Sequence, residues 1–140
     1  MLGNLERSAN YYVECLKIDQ NSAASLYELA NIYLIDKQSD KAIGLLERAV
    51  FLSPENEWYN LLLAELYQSV GKNDKAIETY KRIVADTNNE EYYFELALLY
   101  TKEKMYDEAL SALNSIEKKI GVNESVTLEK QRLYLEQGKS

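Results

Sequence analysis

There is no histidine in this chain, and among its 140 residues stand one cysteine (Cys15), one proline (Pro54), one tryptophan (Trp58) and five glycines. Each scarcity removes a class of chemistry. Without His and with a single thiol, the usual nucleophile–base pairs and Cys/His metal sets cannot be assembled. No Gly-rich phosphate loop is present, so neither a metal nor a cofactor is expected, and the chain reads as non-enzymatic. A lone Cys forms no internal disulfide and leaves the redox compartment unread; at the level of sequence Cys15 falls on the buried stripe of its helix. The acids of KRIVADTNNEEYY (Lys81 to Tyr93) lack the ordered ligand spacing of a calcium loop and read as solvated loop.

Long apolar runs are missing too. No stretch approaches the roughly 20 apolar residues of a spanning helix, and the opening MLGNLE has neither the basic start nor the apolar run of a secretory signal. The chain therefore reads as soluble, with its localisation unknown and an exported full-length parent still open. Cations are in deficit: 16 Lys and Arg face 23 Asp and Glu, a net charge of −7. That balance disfavours nucleic acid, whose binding rests on cations displacing counterions from phosphates, and it equally disfavours acidic lipid surfaces.

What the chain does have is repetition. DKAIGLLERAV (Asp40 to Val50) returns as DKAIETYKRIV (Asp74 to Val84) and as DEALSALNSIE (Asp107 to Glu117). Upstream of each stands a second shared phrase: LYELANIY (Leu26 to Tyr33), NLLLAELY (Asn60 to Tyr67) and YFELALLY (Tyr93 to Tyr100). Tyr33, Tyr67, Tyr100 and Tyr134 follow one another at 34, 33 and 34 residues. A fixed period of this kind marks a repeat architecture.

Both phrases have helical periodicity. Leu26, Leu29, Ala30 and Tyr33 recur at i, i+3, i+4 and i+7, and Ala42, Ile43, Leu46, Ala49 and Val50 mark the face of a second helix. Each repeat is a helical hairpin, and the predicted fold is all-α with about eight helices. Asp40, Asn73 or Asp74, and Asp107 are candidate caps or first-turn acids of the second helices, and Gly71 is suited to end a first helix in the left-handed region.

These residues resemble the tetratricopeptide repeat (TPR), a 34-residue helix-turn-helix. The first full repeat matches at Leu26, Leu29, Ala30, Tyr33, Ala42, Leu46, Ala49 and Pro54. The second matches at Leu63, Ala64, Tyr67, Ala76 and Tyr80, with Asn60 at the first bulky slot, Ile83 for the second Ala and Asn88 for Pro. The third matches at Tyr93, Leu96, Ala97, Tyr100, Ala109 and Leu113. Ser8, Tyr12 and Cys15 occupy the Ala, aromatic and Ala slots of a preceding second helix, and YLEQGK (Tyr134 to Lys139) ends a first helix. The resemblance places a second helix at 3–20, repeats at 23–56, 57–89 and 90–122, and a truncated first helix at 124–140, as a segment of a longer protein.

The resemblance implies a right-handed superhelical solenoid whose first helices line a concave groove for a partner peptide. Family geometry puts Tyr27, Asn31, Trp58, Leu61, Leu62, Glu65, Glu91, Phe94, Glu95 and Leu98 on or near that groove; Leu62 and Leu98 read equally as packing residues, whereas Trp58 reads first as a groove anchor and second as packing. A family subclass clamps a C-terminal carboxylate with Lys, Asn and Arg. Here the clamp slots hold Tyr27, Asn31, Leu62, Glu91 and Glu95, and two acids repel a carboxylate. The expected partner is a protein or peptide, basic or apolar rather than acidic. On the last helix, Lys130 and Gln131 fill the Leu and small slots, so Leu128, Leu133 and Leu135 become candidates for a homodimer contact. Asn123-Glu-Ser fits a glycosylation triplet. The rival readings are a structural spacer or self-assembly arm of a larger bacterial envelope protein, and a recruiting domain attached to an enzyme.

Overall fold

The computed structural model describes residues 3–87 and 89–138; Asn88, at the Pro slot of the second repeat, and Lys139 lie outside them. Among the described residues there are eight helices and no strand. The chain divides into two compact units, Met1–Lys72 and Asn73–Ser140.

The N-terminal unit holds α1 (Gly3–Ile18), α2 (Ala23–Ile35), α3 (Ser39–Leu52) and α4 (Glu57–Ser69), each packed on the next. The small residues foreseen from the repeat, Ala30, Ala42, Ala49 and Ala64, have no exposed surface, so neighbouring helices approach closely at those points. Leu26, Leu29, Leu46, Leu63 and Tyr67 fill the space around them, each large side chain worth about 1.5–3 kcal/mol of transfer free energy. Asn60, standing where the repeat prefers a bulky apolar residue, is buried and donates from Nδ2 to the carbonyls of Pro54 and Asn56, both at 2.9 Å. It pins the entry of α4 by hydrogen bonds instead of by apolar contact.

The slots read onto α1 are displaced. Ser8 is exposed, while Tyr12 and Cys15 are only half-buried; the buried small residue is Ala9. Ala9 meets Leu29 and Ile32, with Leu5, Val13 and Leu16 packed around them. The reason is one-sided packing: α1 rests chiefly on α2, which narrows its apolar stripe and leaves Cys15 at its edge.

The C-terminal unit holds α5 (Asn73–Thr87), α6 (Glu90–Lys102), α7 (Tyr106–Ile120) and α8 (Glu124–Glu136), again packed in chain order. Ala76, Tyr80, Leu96, Ala97, Ala109 and Leu113 form its core. The acids of Lys81–Tyr93 are not on a loop: Asp86 lies in α5 and Glu90 and Glu91 open α6, because the 3.6-residue pattern of Ile77, Tyr80 and Val84 carries α5 to Thr87. Despite Lys130 and Gln131, α8 is seated on α7. Val126 and Leu133 are wholly buried, and Lys130 Nζ pairs with Glu117 at 2.8 Å. Leu133 is therefore core and is withdrawn from any dimer contact, whereas Leu128 and Leu135 remain exposed.

Capping follows a rule that the repeats did not announce. The side chains of Ser22, Asn56, Asn89 and Asn123 accept backbone N–H groups of α2, α4, α6 and α8, each cap worth about 1 kcal/mol. All four belong to first helices. Asp40, Asp74 and Asp107 sit in the first turns of second helices, where a carboxylate complements the helix dipole. Asn73 spends its amide on Glu103 at 2.7 Å instead of capping α5.

First helices end in a left-handed residue: Lys37 (φ 59), Gly71 (φ 81), Lys104 (φ 60) and Gly138 (φ 74), spaced 34, 33 and 34 residues apart. The hydrogen bonds are those of a Schellman stop. Lys37 N donates to Leu34 O and Gln38 N to Tyr33 O, as Lys104 N does to Thr101 O and Met105 N to Tyr100 O. Gln38 and Met105 then accept at their own carbonyls from Ala42 and Ala109, so one residue closes a helix and opens the next.

Candidate peptide-binding face

In the N-terminal unit the expected site residues lie on α2 and α4. Tyr27 and Asn31 are one turn apart on α2 and half-buried; Trp58, Leu61, Leu62 and Glu65 recur at i, i+3, i+4 and i+7 on α4. Leu61 and Leu62 are half-buried, Glu65 is exposed, and Trp58 is 67% exposed. The two helices meet through Tyr27 and Tyr59, whose ring centroids are 4.9 Å apart. Tyr59 was not foreseen. Its column in the repeat holds Ser25, Tyr92 and Val126, so the one signal that could have found it is the return of Tyr in two of the four copies.

Charge is sorted by helix in this unit. Together α1 and α3 carry four carboxylates (Glu6, Glu14, Asp40, Glu47) and four cations (Arg7, Lys17, Lys41, Arg48). On α2 and α4 stand three carboxylates (Glu28, Glu57, Glu65) and no cation. The first helices thus hold the acidic excess, beside the exposed aromatics.

In the C-terminal unit Glu91, Phe94, Glu95 and Leu98 make one stripe of α6, with Glu91 exposed and the other three half-buried. Leu98 also lines a cleft of about 450 Å³ between α6 and α8, together with Thr101, Lys102, Lys104, Tyr106, Glu129, Arg132 and Glu136. The repeat pattern does not reveal this cleft, because its cations Lys102, Lys104 and Arg132 come from a helix end, a turn and a helix with a divergent pattern. Arg132 is held there by Glu129 and Glu136, each at 3.5 Å. Asn123, of the Asn-Glu-Ser triplet, is the N-cap of α8.

No group of three or more His, Cys, Asp or Glu is placed to hold a metal ion among the described residues, and none of their helices is long and apolar enough to cross a membrane.

Family models of the tetratricopeptide repeat match residues 11–44, 33–99 and 90–116. The chain belongs to the tetratricopeptide-repeat family. Its all-α TPR fold is shared with solved structures: MamA, at 22% identity and a TM-score of 0.78, covers 97% of this chain and 80% of its own. YrrB, a TPR protein with an unusual peptide-binding site, matches at 22% identity and a TM-score of 0.80 over 96% of this chain and 70% of its own. The BBSome complex member BBS4 of Bos taurus is 31% identical over 116 residues, which is 82% of this chain. This chain spans 22% of that relative's length. Among TPR proteins the stacked hairpins serve as protein-interaction scaffolds, and this chain is built as one.

Proposed function

We propose that the chain is a non-enzymatic module that receives a segment of a partner protein on the first helices of its TPR hairpins. The repeats run 23–56, 57–89 and 90–122, flanked by the second helix α1 (Gly3–Ile18) and the first helix α8 (Glu124–Glu136). The observation that carries this is Trp58. A ring of that size left 67% exposed, one residue before Tyr59 of the Tyr27–Tyr59 pair, is unspent binding surface, and Trp and Tyr are the residues that most often dominate an interface. The other contacts are Asn31, Leu61 and Glu65 in the N-terminal unit and Glu91, Phe94, Glu95 and Leu98 in the C-terminal one. Support comes from the peptide-binding site of YrrB and from BBS4 being a member of a complex. The acidic first helices favour a basic or apolar guest over an acidic one. A homodimer through α8 would use Leu128 and Leu135; a constant monomer mass across a sedimentation concentration series would end that idea.

The test is photo-crosslinking in source cells with a benzophenone amino acid at Tyr27, Leu61 or Phe94, against Lys41 and Arg82 on second helices. Discrete adducts confined to the first-helix positions are expected. Adducts at Lys41 or Arg82 alone would move the partner to the opposite helices and overturn the proposal.

A further inference from the structure

We infer that the face shared by α2 and α4 is a cation-reading site: it takes the guanidinium or ammonium group of an Arg or Lys in an extended partner segment, against the Trp58 indole and the Tyr27 ring. This rests on the module reading above and narrows it to one guest chemistry.

Three independent features converge. First, the aromatic surface is free. Trp58 is 67% exposed, and Tyr27 and Tyr59 hold each other at 4.9 Å while staying only half-buried. The face of such a ring carries partial negative charge and attracts a cation within about 6 Å of its centre. Second, the charge is of one sign. The helices α2 and α4 bear Glu28, Glu57 and Glu65 with no Lys or Arg, whereas α1 and α3 of the same unit are neutral overall. Third, two of these acids have no cation of their own. Glu28 follows Tyr27, and Glu65 lies two turns along α4 from Trp58; neither makes an ion pair among the described residues. Seven residues of helix span about 10 Å, somewhat more than the Debye length of about 8 Å at physiological salt, so Glu65 acts on a cation at Trp58 chiefly at low ionic strength.

An anionic guest finds no donor of positive charge on these two helices. A purely apolar guest buries the rings but strips water from the rim carboxylates without return. A side chain with an aliphatic stem and a cationic head satisfies both the rings and the acids.

Trp58 is the only tryptophan of the chain, which makes its emission a direct reporter. The intact chain is titrated with four synthetic decapeptides on one Gly-Ser frame carrying two Arg, two Lys, two Leu or two Glu. The Arg and Lys peptides are expected to shift Trp58 emission saturably and about tenfold more tightly than the Leu peptide, with Arg the tighter of the two and Glu silent. Raising salt from roughly 50 to roughly 500 mM should weaken the Arg peptide several-fold. By calorimetry, Trp58→Phe should retain most of the affinity and Trp58→Ala lose most of it; E65Q should weaken the Arg peptide and leave the Leu peptide unmoved.

Equal or tighter binding of the Leu peptide would overturn the cationic reading and leave the peptide module standing. Silence with all four peptides, set beside first-helix crosslinks in cells, does the same. Silence together with no crosslink at Tyr27 or Leu61 overturns both.

Discussion

Replacing Lys37 and Lys104 by glycine should stabilise the chain, although each change deletes a whole side chain. Both residues sit at φ near 60°, where a side chain crowds its own carbonyl at a cost of about 1–2 kcal/mol. Glycine avoids that cost and brings its own, the extra freedom it loses on folding, about 0.5–1 kcal/mol. The difference is a net gain of roughly 0.5–1 kcal/mol per site, or about 1–2 kcal/mol for the double variant. In a chain of this length that raises the melting temperature by about 3–8 °C. Little is lost in return, since both lysines are exposed and neither makes an ion pair among the described residues. The converse change is Gly71→Ala. A Cβ there meets nothing within 4 Å, so only the backbone at φ 81 is charged with the loss, expected at about 0.5–1 kcal/mol or somewhat more. Urea unfolding followed by circular dichroism reads all three, with the slope unchanged and the midpoint moved. A lower midpoint for the double glycine variant, or a higher one for Gly71→Ala, would refute the account of the corners.

Gly44 stands exposed inside α3 with open space where its Cβ would be, so Gly44→Ala should stabilise by about 0.5–1 kcal/mol in the same urea assay. Leu133 is 0% exposed and Leu135 73%: Leu133→Ala should cost about 2–5 kcal/mol, and Leu135→Ala should stay within about 0.5 kcal/mol. Burial raises the Tyr100 phenol above its ordinary value of 10.0. The unfolded chain therefore ionises first, and the stability Tyr100 contributes, whole below pH 10.0, is lost as pH climbs through the higher folded value. Tyr100→Phe should flatten that alkaline decline in urea midpoints, and an unchanged decline would discard the assignment.

The hairpins were legible because their determinants are periodic. Ala30, Ala64 and Ala97 recur with Tyr33, Tyr67 and Tyr100, and each column reports the same close approach in every copy. Lys37 and Lys104 hid because left-handedness is a backbone state. Gly71 announces it, whereas a lysine in the same column does not. The caps were less legible for a related reason: Asp recurs at the start of the second helices, whereas the first-helix caps vary between Ser22 and Asn56, Asn89 and Asn123. On α1 the slots slipped from Ser8 to Ala9, since periodicity gives a stripe's direction but its width depends on how many neighbours the helix has. The candidate face was legible only as a set of columns. Tyr59 and the α6–α8 cleft arise from contacts between columns, and single-chain periodicity does not encode them.

Gln38 and Met105 each close one helix and open the next. A corner built on a shared residue has no spare length: inserting one amino acid there breaks either the lock on the helix behind or the first bond of the helix ahead. The Ser- and Asn-capped segments before α2, α4 and α8 have residues to spare on the near side of the cap. The hairpin is thus the indivisible cassette, and the seam for duplication, deletion or domain grafting lies just ahead of each cap, at Ser22, Asn56 or Asn123.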